Sequence, residues 1–367
     1  MLSIMFYLIT FLIVFVVQII AMKQKNVMVR RVLIMFSFTI LLLLIGLRYN
    51  VGTDYAGHVR IYSDYADKTI AAIVTGNGDI GAKVIIGVAA HVFHDYRFLF
   101  WVYGLLVLYP IYKINKITNY KYLAYSTLVF NLTIMPVCLN LVRQGAAMSF
   151  VLLAFTYLQT NAKLRKTILC LIIAACLHPS ALISIPYFVL CIWARKRHGK
   201  IYVWASILTM LIFAIMVTLM KDILTSWGIF GYNYMLVVTG GINVYSGAII
   251  YNAVYYLMFA IMLLTYKRRG LDSYVNNDDV KDEATMVVQG TFYEILGTMT
   301  RFLSRVSYYF SIYQVLLIPK ILQNIGQKNT RVLMKFFCIG VLICLFVFRC
   351  YIQGYYEIIP YQTWLGN

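Results

Sequence analysis

The feature that most constrains this chain is a series of apolar runs of near membrane-spanning length, separated by short basic clusters. A helix needs about 20 apolar residues to cross the hydrocarbon core, within a range near 17–25. Such runs fall at roughly 2–20, 32–47, 97–113, 121–139, 141–158, 201–220, 248–266, 285–300, 303–322 and 333–351. Hydrophobic residues make up 62% of the 367 and charged residues 12%, against about 45–50% and 25% in soluble domains. That excess of apolar side chain excludes an ordinary cytosolic enzyme, a secreted disulfide scaffold and a disordered chain. The expected fold is all-α: a polytopic transmembrane helical protein, one integral membrane domain over residues 1–367 with about ten full spans. The first run has neither a basic n-region nor a small-residue cleavage site, so it reads as a retained helix.

A net charge of +19, from 32 basic and 13 acidic residues, would suggest nucleic acid in a soluble protein. Here the basic residues lie between apolar runs, and membrane orientation accounts for them, so no nucleic-acid partner is expected. The clusters around Lys23–Arg31, Lys113–Lys121, Lys163–Lys166, Arg195–Lys200, Lys267–Arg269 and Lys320–Arg331 are all cytoplasmic at once if both termini lie outside. Segment 79–94 is then re-entrant or interfacial, unless the amphipathic stretch 61–76 of the outer loop 48–80 crosses with it. Segment 167–193 is too short for two spans at 1.5 Å per residue. It reads as a pair of short helices broken at His178-Pro179, where proline interrupts the hydrogen-bond ladder. The acidic stretch 267–284 reads as a solvated cytoplasmic loop. All seven cysteines lie in apolar stretches without a CxxC pair, so neither disulfides nor a cysteine metal site is expected.

This topology exposes an asymmetry. Ten basic residues face outward, and seven of them are arginines. Orientation alone is satisfied by cytoplasmic lysine. Arg48, Arg143, Arg301 and Arg305 sit at the outer ends of expected spans. Arginine keeps its charge at low dielectric and offers a rigid fork of donors that fits phosphate oxygens. Four of them at headgroup level suit an anionic ligand carried by lipid, such as a polyprenyl pyrophosphate, although each alone is able to snorkel to outer-leaflet phosphates.

Four constellations carry candidate chemistry. In Arg48-Tyr49-Asn50-Val51-Gly52-Thr53-Asp54-Tyr55, Gly52 permits a tight turn and Tyr49 and Tyr55 are able to stack on sugar faces. Asp54 either orients Arg48, caps the next helix or acts as a general base. In Asn140-Leu141-Val142-Arg143-Gln144, Arg143 stands beside a helix N-terminus that already favours anions, and Gln144 adds an amide. His178, in Cys176-Leu177-His178-Pro179-Ser180, lies at a helix break inside an apolar run. It is either a base toward a sugar hydroxyl at neutral pH or a structural donor to a freed carbonyl. Late in the chain, Arg301 and Arg305 precede Tyr308-Tyr309. The aromatic residues of 228–247 and 351–364 read as a sugar-stacking lid. No cluster has metal-ligand spacing and no phosphate-binding glycine loop occurs, so no metal, nucleotide or other cofactor is expected.

In their order, these motifs resemble the EpsG family of membrane proteins, which are related to Wzy-type polysaccharide polymerases. The resemblance runs over residues 48–310 and rests on Arg48 to Tyr55, Asn140 with Arg143-Gln144, His178-Pro179-Ser180-Ala181-Leu182, and Arg301 or Arg305 before Tyr308-Tyr309-Phe310. The family's opening motif is usually followed by a tyrosine a few residues on. Here Tyr62 is the nearest, and His58 intervenes.

The resemblance implies a glycosyltransferase at the outer face of the bacterial cytoplasmic membrane. It would polymerise polyprenyl-pyrophosphate-linked oligosaccharide repeats into capsular polysaccharide, exopolysaccharide or O-antigen, beside the lipid bilayer and other polysaccharide assembly proteins. On that expectation Arg48, Arg143, Gln144, Tyr55 and Arg301 or Arg305 hold donor pyrophosphate and glycan, and His178, then Asp54, is the base. A glycan ligase, an acyl transferase, or a transporter or flippase is the alternative. A transporter predicts broken helices in both halves, and only the break at Pro179 is evident.

Overall fold

In a computed structural model, residues 2–76, 78–160, 164–194, 208, 211, 246–267, 278–297 and 301–366 are described. The expected span 201–220, apart from two residues, and the aromatic loop 228–247, apart from its last two residues, lie outside them. The chain divides into two compact units, Met1–Ala181 with Phe336–Asn367, and Leu182–Lys335.

The first unit opens with the hairpin α1 (Leu2–Lys23) and α2 (Val27–Gly46). Asn26 starts α2 by accepting the N–H groups of Met28 at 2.8 Å and Val29 at 3.3 Å, which satisfies two donors of the first turn. Inside the hairpin, Gln18 Nε2 donates to Ser37 Oγ at 3.1 Å, a polar link that fixes the register of two otherwise apolar helices. Then follow α3 (Tyr55–Ala66), α4 (Ile70–Thr75) and α5 (Ile80–Val88), which runs into a π-helical turn, Ala89–Phe93. The 14 residues from Ile80 to Phe93 rise about 21 Å at helical pitch, short of the hydrocarbon core. Asp95 starts α6 (Arg97–Ile117) by accepting the Arg97 N–H at 2.8 Å.

The apolar run 121–139 is not one helix. It divides into α7 (Leu123–Thr133) and α8 (Met135–Asn140), because Pro136 lacks a donor and its ring crowds the preceding turn. In α9 (Val142–Gln159) every side chain through Leu158 is buried except Arg143. Next, α10 (Leu164–Leu177) packs along α9 and ends at His178-Pro179, and a 3-10 turn over Pro179–Ser184 follows. The end of α10 meets the start of α5 closely: a Cβ on Gly81 would lie 2.8 Å from the Cys176 carbonyl oxygen.

The second unit contains α11 (Ile185–Ala194), α12 (Ser246–Lys267), α13 (Asp278–Leu296), α14 (Arg301–Ser311) and α15 (Gln314–Asn324). Its core joins Tyr187 and Tyr293, with hydroxyl oxygens 2.5 Å apart, around Phe310. Two expectations change here. The segment 267–284 is helical from Asp278, with Asp282 and Glu283 buried, because Lys320 Nζ reaches Glu283 Oε1 at 2.6 Å and compensates its charge. The run 303–322 is divided between α14 and α15 by a turn at Ile312–Tyr313. The last long helix, α16 (Lys328–Val347), runs from the second unit into the first and continues as a π-helical turn, Phe348–Ile352.

Among the described residues the protein is all-helical. Four helices are long and apolar enough to cross a membrane: Leu2–Lys23, Val27–Gly46, Arg97–Ile117 and Lys328–Ile352. Shorter apolar helices accompany them.

Candidate functional site

The site of the first unit is built on the loop between α2 and α3. Two distant segments hold that loop. The Asn140 side-chain oxygen accepts the Thr53 hydroxyl at 3.0 Å and the Asp54 N–H at 2.8 Å. Gly52 has φ +100°, and a Cβ there would stand 3.1 Å from Asn140 Oδ1 and 3.2 Å from the Leu139 carbonyl. Only glycine combines that backbone with so close an approach.

On its other side the loop is strapped by residues 356–364. Tyr49 N–H donates to the Gln362 carbonyl at 2.8 Å, Thr53 N–H to Tyr356 at 3.0 Å, and Gly52 N–H to Glu357 at 3.3 Å, while Trp364 N–H returns to Leu47 at 3.2 Å. Arg48 and Thr363 form an isolated antiparallel bridge. Tyr361 Oη and Trp364 Nε1 donate to the carbonyls of Leu44 and Gly46 at 2.9 and 3.3 Å. These two members of the expected sugar lid thus anchor the strap to the end of α2.

The loop drives Arg48 inward. Its side chain is 1% exposed, and its guanidinium carbon lies 4.7 Å from the centre of the Phe100 ring. Nε and Nη1 have no hydrogen-bond partner among the described residues. Burial lowers the pKa of Arg48 to about 10, so it stays charged at neutral pH. Tyr55 stacks on the same Phe100 ring at 4.5 Å and 8°, and burial raises the pKa of its phenol. Asp54 occupies the N-cap position of α3 but makes no side-chain capping bond, so loop closure falls to Asn140.

Arg143, at the start of α9, pairs with an aspartate that the sequence reading missed. Its Nη1 lies 2.8 Å from Asp79 Oδ2, the two side chains being 34% and 15% exposed. Asp79 precedes α5 in the N-cap position, and an acid just before an apolar run is the signal that marks it. Burial raises the Asp79 pKa, outweighing the opposite pull of Arg143 and Lys83. Gln144 is buried beside it in sequence.

His58 is the second residue overlooked. It lies one turn into α3, half-buried, with its ring edge-on to Phe100 at 6.5 Å and 86°. Desolvation, then Arg143, then Arg48 lower its pKa to about 3.

His178 follows the α10–α5 contact. Its Nδ1 accepts the Ser180 N–H at 3.3 Å and lies 2.8 Å from Ser180 Oγ, so that nitrogen serves the local turn. Arg48, Asp54, Tyr55, Asn140 and Phe100 are thus tied together, with Arg143 in electrostatic reach through His58. Arg301 and Arg305 stand four residues apart on α14 of the second unit. Among the described residues no group of three His, Cys, Asp or Glu side chains gathers as a metal site.

The first unit therefore defines a class: an all-helical membrane protein with a buried, partly unsatisfied guanidinium. More particularly, the chain belongs to the EpsG family, whose model matches residues 31–363. It is a membrane protein of a family associated with polysaccharide biosynthesis. No curated protein and no solved structure matches it.

Proposed function

We propose that the protein is a polysaccharide polymerase of the bacterial cytoplasmic membrane. It transfers a glycan from polyprenyl pyrophosphate to a sugar hydroxyl on a second lipid-linked repeat. The observation that supports this most is the Arg48 guanidinium: a charge taken almost wholly out of water, with two donor nitrogens unpartnered among the described residues. An unsatisfied buried donor costs about 1–3 kcal/mol, more when charged. Such a cost is accepted where a ligand completes the hydrogen bonds, and the planar fork of arginine matches phosphate oxygens.

In this reading Arg48 and Arg143 hold the donor pyrophosphate and stabilise the charge that grows on it as the anomeric C–O bond breaks. Tyr55 and Gln144 border the same place. The donor carries its own activation in the pyrophosphate leaving group, so the transfer proceeds without a nucleotide. Family membership supports polysaccharide assembly as the context, in company with other assembly proteins.

The experiment is reconstitution. Purified protein in bilayers, given polyprenyl-pyrophosphate-linked repeats, should yield polymer and free polyprenyl pyrophosphate. Arg143→Lys should abolish most of it at near-normal protein level, because a point charge does not reproduce the bidentate fork. Movement of intact lipid-linked repeats across the bilayer without polymer would replace the polymerase by a flippase.

A further inference from the structure

We propose that Asp79 is a positioning residue: its carboxylate holds one side of the Arg143 guanidinium, so that the opposite edge is presented, already ordered, to a phosphate of the donor. This rests on the polymerase reading above and deepens it.

An aspartate that precedes a helix normally accepts N–H groups of that helix's own first turn. Asp79 precedes α5 with extended backbone, φ −68° and ψ 129°, yet makes no side-chain capping bond. Its Oδ2 instead accepts Arg143 Nη1 at 2.8 Å, 64 residues on. The backbone that delivers the carboxylate is fixed on both sides. Lys83 N–H donates to the Asp79 carbonyl at 3.0 Å, and Lys83 Nζ donates to the Gly76 carbonyl across the same corner. Gly81, two residues beyond Asp79, lies so close to α10 that a Cβ would stand 2.8 Å from the Cys176 carbonyl oxygen. In turn α10 packs along α9, which carries Arg143. The start of α5, the end of α10 and α9 thus form one corner, with the carboxylate on one wall and the guanidinium on another.

The pair leaves the useful part of Arg143 unspent. Among the described residues Nη1 is its only nitrogen in a hydrogen bond. The Nε–Nη2 edge, whose parallel N–H groups make the bidentate fork for phosphate oxygens, is left over. Arg143 is also the one side chain of α9 through Leu158 that is not buried, and it is 34% exposed against 15% for Asp79. The carboxylate therefore lies on the protected side and the guanidinium on the open one. A partly exposed ion pair adds little to stability. Its larger effect is on binding: a free arginine gives up rotamer freedom when it takes a ligand, and one already held does not. The carboxylate also repels an incoming phosphate. Its two effects on affinity thus have opposite signs, which makes them separable.

The test uses the full chain in bilayers. Glycan-free polyprenyl pyrophosphate is the binding probe, and polymer formation from polyprenyl-pyrophosphate-linked repeats is measured beside it. Asp79→Ala removes both the charge and the acceptor. Asp79→Asn removes the charge but keeps an acceptor oxygen for Nη1. If Asp79 positions the fork, Asp79→Ala should bind the probe about ten- to a hundredfold more weakly, the scale on which misplacing a group by about 1 Å is felt, while Asp79→Asn stays within about threefold of wild type. In an Arg143→Gln background there is no fork to aim, and Asp79→Ala should then change the remaining affinity by no more than about twofold. A tie that only holds α5 to α9 would lower affinity alike in both backgrounds.

Asp79→Ala binding the probe as tightly as wild type, or more tightly, would overturn the proposal, since the carboxylate would then only compete with the ligand. So would an equal loss in the Arg143→Gln background, or a loss in Asp79→Asn as large as in Asp79→Ala. Each of these, with wild type making polymer, leaves the polymerase reading standing. A wild-type protein that binds polyprenyl pyrophosphate but makes no polymer would overturn the polymerase reading and this proposal with it. If Asp79→Ala does not fold, Asp79→Ser decides: its hydroxyl supplies the usual cap to α5 but falls short of Arg143, so the same loss of affinity is expected.

Discussion

The side-chain oxygen of Asn140 holds both the hydroxyl of Thr53 and the backbone N–H of Asp54, 86 or more residues away in sequence. One oxygen accepting two donors defines the shape of the loop that buries Arg48. Asn140→Leu should therefore release the loop and abolish donor binding with modest loss of stability. Asn140→Asp keeps the acceptor and adds a negative charge near the arginines, so loop closure should survive while affinity for polyprenyl pyrophosphate falls. Binding and melting measurements on the two variants separate the effects.

Gly52→Ala meets two obstacles at once, a φ of +100° and the Asn140 side chain at 3.1 Å. A destabilisation on the order of 1–3 kcal/mol is expected, measurable as a lower melting temperature in detergent.

Arg48→Met removes a buried charge whose Nε and Nη1 have no partner among the described residues. Apolar replacement of buried charge is often neutral or stabilising. The melting temperature should hold or rise while affinity for polyprenyl pyrophosphate falls at least tenfold. A large loss of stability would show that the guanidinium serves packing on Phe100 instead.

The low pKa of His58 links stability to pH. Its folded value is about 3, against about 6.5 in an unfolded chain. Below about 6.5 the unfolded chain binds a proton that the folded protein refuses. This contribution is thus complete above pH 6.5 and is lost as pH falls toward 3. Ligand-free protein should melt progressively lower between pH 6.5 and 4.5, and His58→Phe should flatten that slope.

In the second unit, Glu283 is fully buried against Lys320. Glu283→Gln leaves an ammonium without its counter-charge and should cost about 3–5 kcal/mol. The double replacement Glu283→Met with Lys320→Met should recover most of it. Chemical unfolding of the three proteins checks this cycle.

The helical class was legible in the sequence because apolar runs of span length admit little else. So was the break at Pro179, since proline at such a place acts locally. The division of 121–139 was less so. Pro136 was visible, but apolarity alone does not say whether a run is one helix or two. Asp79 and His58 were missed for a different reason. Each matters through a partner far away in sequence, Arg143 in the first case and the Phe100–Arg48 cluster in the second, and no spacing rule brings them together. Glu283 read as a loop acid because its compensating lysine lies more than thirty residues on.

The strap formed by residues 356–364 also sets an order of events in the cell. Arg48 is synthesised early, yet its loop is closed by carbonyls and N–H groups more than 300 residues later. At about 5–20 residues per second, a nascent chain spends on the order of 15–60 s in the insertion machinery with its first guanidinium in place and the strap unmade. The buried setting of Arg48 is then complete only once residues 356–364 have been made. Until that point a partly translated polypeptide in the bilayer carries the guanidinium on a loop without its strap.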